Sequence, residues 1–157
     1  MNLKTIIAMG ILSSIIGMFG CKGGNSSLRA KQITIAQLEQ ELELLRAGKT
    51  EYDFIGITSN GVDCIYLVKN SDKFNIEFEA MTETQIPFIE KLKEYADSKG
   101  FRYQMTSYGN KPHYNSKQAP VLQIVANTNI PETVKIAEEI ESKIFRNNSE
   151  TQYEVVP

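Results

Sequence analysis

Tyr52-Asp53-Phe54-Ile55-Gly56-Ile57-Thr58-Ser59 and Val62-Asp63-Cys64-Ile65-Tyr66-Leu67-Val68-Lys69 are two β-rich runs separated by the dipeptide Asn60-Gly61. Asn-Gly tolerates the positive φ that both central positions of a type I′ turn demand, so the pattern predicts a tight β-hairpin over residues 52–69. A four-residue turn, Asn70-Ser71-Asp72-Lys73, then leads to Phe74–Ala80, where Phe74, Ile76, Phe78 and Ala80 alternate with Asn75, Glu77 and Glu79. Alternation with a period of two places one set on a core and the other in water.

Helical signals flank this meander. Thr34 and Gln37 form a Thr-x-x-Gln capping box, with Ile33 and Leu38 spaced as a hydrophobic staple, and Gly48 marks the end. Ile35, Leu38, Leu42 and Leu45 share one face. A second helix is predicted from a cap at Thr84, with Pro87 in its first turn, an apolar face of Ile86, Ile89, Leu92 and Ala96, and a stop at Gly100. Strands follow at Phe101–Tyr108, with Phe101, Tyr103 and Met105 inward, and at Val121–Ala126. Asn129 and Glu132 then box a third helix carrying Pro131 early and Val134, Ala137, Ile140 and Ile144 as its stripe. The tail, Tyr153-Glu154-Val155-Val156-Pro157, adds at most a marginal edge strand. The order α-β-β-β-α-β-β-α implies an α+β domain over residues 33–157, a mostly antiparallel five-stranded sheet with helices packed chiefly on one face.

The first residues have a different character. Met1-Asn2-Leu3-Lys4 precedes an uncharged apolar stretch, Thr5–Phe19, and then Gly20-Cys21. A basic start, a short apolar segment and a small residue before a cut site make a secretory signal. With Met18-Phe19-Gly20-Cys21 at the cut, the segment resembles the lipobox of bacterial lipoproteins processed by signal peptidase II. That resemblance covers residues 1–21. It implies that residues 1–20 are removed and that Cys21 carries a diacylglyceryl thioether, commonly with a further acyl chain, anchoring the protein in the bacterial cell envelope on the periplasmic side or at the surface. Two readings compete with it: an uncleaved membrane helix, for which the stretch falls short of about 17–25 residues, and an ordinary secretory signal that leaves Cys21 a free thiol. Residues 21–32 read as the lipidated cysteine and a small, polar tether whose 22–32 segment spans about 18 Å on average.

Cleavage would remove Lys4 alone among charged residues, leaving 137 residues with 16 basic and 19 acidic side chains, a net charge of −3. That is one domain's worth of chain. A mildly acidic, mixed surface offers no footprint for nucleic acid. Cys21 and Cys64 are the two cysteines, so with Cys21 acylated no disulfide framework exists, and Cys64, within an apolar run, reads as a small buried hydrophobe. A single histidine and no cysteine pair rule out the usual zinc motifs, and phosphate-loop and nucleophile-elbow patterns are missing. No metal or cofactor is expected.

Two places could carry function. Glu77 and Glu79 lie about 7 Å apart on one strand face, a spacing open to paired-carboxylate hydrolysis, although alternating glutamates on an outer face are what solvation requires. The eleven residues 109–119 form a long connection between strands, and such loops are disproportionately functional. Tyr108, Lys111, His113, Tyr114 and Lys117 there supply aromatic area and charge suited to a partner. The leading expectation is therefore a non-enzymatic, lipid-anchored binding domain that recognises an envelope protein or glycan through this loop, of inhibitor or immunity type by analogy. A small envelope hydrolase, or self-association through the Ile35-to-Leu45 stripe, are the alternatives.

Overall fold

In the computed structural model, which describes residues 30–112 and 118–156, three helices cover one face of a seven-stranded antiparallel sheet. The strands are β1 (Gln32–Ile33), β2 (Phe54–Thr58), β3 (Ile65–Asn70), β4 (Lys73–Glu79), β5 (Arg102–Thr106), β6 (Val121–Thr128) and β7 (Tyr153–Val156), arranged β1-β7-β2-β3-β4-β6-β5. The helices are α1 (Leu38–Arg46), α2 (Ile86–Lys99) and α3 (Ile130–Lys143), the first two entered through single 3₁₀ turns at Ile35–Gln37 and Glu83–Gln85. The α+β class thus holds, but the strand count rises from five to seven.

The two additional strands are β1, near the start of the described residues, and β7, near the C-terminus. The tail is not an edge: β7 pairs with β2 through Gly56–Thr58 on one side and with β1 on the other. Gln32, whose composition assigned it to the tether, pairs with Glu154, and the Lys31 carbonyl accepts from Val155 N–H at 2.9 Å. Two- and four-residue strands are too short to show a period in sequence; burial of Ile33 and Tyr153 holds them in place.

The β2–β3 connection also departs from the tight turn. A two-residue Asn60-Gly61 loop would set Ile57 opposite Cys64, whereas the observed register sets Ile57 against Ile65 and Ile55 against Leu67. A slip of one residue would turn one strand's apolar set away from the other's, so the core selects the observed pairing. Asp63 supports the longer loop from inside: fully buried, its carboxylate accepts from Thr58 Oγ1 (2.6 Å), Ser59 N–H (2.9 Å), Asn60 N–H (3.2 Å) and Ser59 Oγ. Of the dipeptide, only Gly61 takes a positive φ, 81°. The β3–β4 link is the tighter one, with Ser71 at φ 59° between the paired Asn70 and Lys73.

Caps follow the sequence with one exception. Gln37 Oε1 accepts from Thr34 N–H, and Asn129 Oδ1 accepts from Glu132 N–H at 3.0 Å, as the boxes require. The second helix is capped at Thr82, not Thr84, because Gln85 is buried, takes the Met81 and Thr82 N–H groups (2.9 Å each), and donates to the Val62 carbonyl at 3.1 Å. Ile35, Leu38, Leu42 and Leu45 are buried in the domain's own core with Phe74, Ile76, Phe78, Leu92 and Ile140, which withdraws that stripe as a self-association surface. On α3 the buried face is centred on Thr133, Ile136, Ala137 and Ile140, while Val134 and Ile144 lie at its margin. Cys64 is buried as expected, and burial pushes its thiol up to about 12.

Candidate binding site

Strand pleating sends Phe54, Gly56, Tyr66, Val68, Glu77 and Glu79 to the sheet face opposite the core residues Ile55, Ile57, Ile65, Leu67, Ile76 and Phe78. Instead of a flat wet surface, this face carries a cleft of about 460 Å³, to which β6 adds Val121 and β7 adds Val156. The segment before β2 contributes Tyr52, and the segment after β5 contributes Tyr108 and Asn110.

Aromatic contacts shape one wall. Tyr52 stacks on Phe54 with centroids 5.3 Å apart and planes at 15°, and Phe54 meets Tyr66 edge-on at 5.8 Å and 84°. Tyr66 lies across its cross-strand partner Gly56, where a Cβ would stand 3.0 Å from Cδ1 and Cε1 of the ring and 3.1 Å from Val156 Cβ. Glycine suits this close approach, since a methyl group there would press the Tyr66 ring or Val156 aside by a few tenths of an ångström.

The other wall is polar and fixed. The Tyr108 hydroxyl donates to the Glu77 carboxylate (2.8 and 2.9 Å) and accepts from Gln123 Nε2 (2.7 Å), which also donates to Glu77 at 2.8 Å. Gln104 Nε2 orients Gln123 by donating to its Oε1 at 2.6 Å. Burial, with the adjoining Glu77, raises the Tyr108 hydroxyl above its ordinary value and keeps it a donor. Glu79 is 8% exposed, so it is not the wet residue that alternation predicted; Asn110 Nδ2 donates to its Oε1 at 2.8 Å. Burial raises the Glu79 carboxyl, the Asn110 hydrogen bond opposes that rise, and the charge of Glu77 adds to it. Glu77 and Glu79 are the charged side chains lining the cleft, with no lysine or arginine among the described residues there.

Of the residues singled out in sequence, Tyr108 stands at the cleft rim, 57% exposed, and Lys111 is exposed outside the lining. His113, Tyr114, Lys117 and Cys21 lie outside the described residues. The base of the long connection is closed by Ala119 N–H donating to the Asn110 carbonyl at 2.7 Å. Sequence reasoning missed Phe54, Gly56, Tyr66, Val68, Val121 and Val156. Their signal was present: Phe54-Ile55-Gly56-Ile57 and Ile65-Tyr66-Leu67-Val68 are apolar on both parities, which marks strands covered on both faces.

A second cluster sits at the far end of β2. Asn147 Nδ2 donates to Asp63 Oδ2 (2.7 Å) and to Glu141 Oε2 (2.8 Å), joining the β2–β3 loop to α3. Burial works to raise the Asp63 carboxyl, but hydrogen bonds from Ser59, Thr58 and Asn147 outweigh it and hold the group below its ordinary value. Glu141 is 2% exposed with no hydrogen bond to Oε1, and burial pushes it up to about 9. Among the described residues no three His, Cys, Asp or Glu side chains converge as a metal-holding group. Comparison with protein-family models, curated proteins and solved structures finds no match.

Proposed function

We propose that this chain is a lipid-anchored, non-enzymatic binding domain of the bacterial cell envelope, held to the membrane through Cys21 and receiving its partner in the cleft on the open sheet face. What supports the binding role is that cleft: an apolar, concave surface on the sheet face that carries no helix among the described residues, with its few polar groups held by mutual hydrogen bonds. Apolar pockets with a few fixed polar groups are the usual form of ligand sites. In this reading Tyr108 belongs to the site as a rim residue. The sparse polar lining favours an apolar partner group over a glycan, whose hydroxyls would lose water without finding replacements. An inhibitor or immunity role would be one use of such a domain.

The anchor and the cleft are tested separately. Cells fed an alkyne-tagged fatty acid should label the wild type and not Cys21→Ser; equal labelling would remove the anchor. A photo-crosslinking residue at Tyr108 should give a dominant adduct, while the same probe at Lys135, exposed on α3, gives none. Equal adducts at both positions would overturn the cleft as the site.

A further inference from the structure

We infer that the occupant of this cleft is a small organic cation, with an apolar body lying along Phe54, Tyr66 and Val156 and a positively charged nitrogen directed at Glu79. This rests on the cleft being the binding site. Glu79 is nearly removed from water already, with Asn110 as its hydrogen-bond donor and no cationic side chain in the lining among the described residues. Any occupant completes its desolvation. A neutral apolar body would leave the Glu79 carboxyl buried beside Glu77, either charged and unpaired or driven to take up a proton, and an anion would add repulsion from both, whereas a cation compensates the two carboxylates as they stand.

Size selects a small molecule over a protein surface. The volume of about 460 Å³ falls within the ~300–1,000 Å³ of small-ligand sites, while a stable protein interface needs roughly 800 Å² from each partner. The cleft accommodates one aryl or branched alkyl group with its head.

Three probes matched in size separate charge from shape: 4-phenylbutylamine, 4-phenylbutanol and 4-phenylbutanoate, titrated onto the full chain in lipid nanodiscs and followed by ligand-observed NMR against empty nanodiscs. The amine should bind at least ~10-fold more tightly than the alcohol, and the carboxylate most weakly. Glu79→Gln should bring amine and alcohol within about twofold of each other, with alcohol binding retained as the check that the cleft is intact. Equal affinities of the three probes for the wild type would overturn the charge inference and leave the cleft as a binding site. Absence of binding by all three at millimolar concentration would overturn the cleft itself. The wild-type comparison needs no variant, so misfolding of Glu79→Gln cannot mask the result.

Discussion

Glu141 and Asp63 are two buried carboxyls joined by one amide, yet their surroundings drive them in opposite directions. The folded-state value of Glu141 is raised from about 4.5 to about 9, so between those values the unfolded chain releases a proton that the folded chain retains. Stability from this group is therefore complete below about pH 4.5 and lost as pH rises toward 9. Asp63 has the opposite sign: its lowered value gives stability at neutral pH that is lost on acidification. Glu141→Gln should flatten the decline in thermal midpoint between pH 6 and pH 9; an unchanged decline, read by circular dichroism melts at both pH values, would count against the assignment. Cys64 is a second test of burial. With its thiol raised to about 12, it should resist iodoacetamide at pH 8 in the folded protein. After denaturation, mass spectrometry should find one alkylated thiol per chain when Cys21 bears its thioether and two when it does not.

The helix boundaries show how tertiary contacts choose among local signals. Thr82 and Thr84 both stand near the start of α2, and Pro87 suits either start, but Gln85 alone reaches both back to Met81 and Thr82 and across to Val62. Gln85→Ala should therefore cost about 1–3 kcal/mol, since it strips buried N–H and carbonyl groups of their partner. Thr84→Ala should stay within about 0.5 kcal/mol. Urea midpoints would decide; equal effects would contradict the Thr82 boundary. The α1 and α3 capping boxes were fully legible because their polar side chains and backbone partners are close in sequence. The same locality made the hairpin misleading. Asn60-Gly61 favours a two-residue turn, but that register would oppose Ile57 to Cys64, and core burial of Ile55, Ile57, Ile65 and Leu67 outweighs a turn preference. The cleft residues are hidden for a related reason: a continuous apolar run marks a strand but does not say what covers its second face.

Taken together, the sheet depends on its C-terminal strand more than that strand's length suggests. β7 joins β1 to β2, with Tyr153 1% exposed in the core and Val156 lining the cleft. Tyr153→Ala should lose about 3–5 kcal/mol, as for other large aromatics truncated in a core. Tyr52→Ala, at 39% exposure, should cost less than about 1 kcal/mol. Similar losses in equilibrium unfolding would mean that β7 is peripheral. The α+β class, the β3–β4 meander, the positions of all three helices and the inward set Phe74, Ile76, Phe78 and Ala80 were settled by sequence, because periodicity and capping arise between neighbours a few residues apart. The place of β7, the register of β2 against β3, the pairing of Asp63 with Asn147, and the union of Tyr52, Tyr66, Glu79, Tyr108 and Val156 around one cleft required the folded chain. These depend on contacts between segments up to about a hundred residues apart, whose selection is made by burial summed over the core rather than by any local pattern.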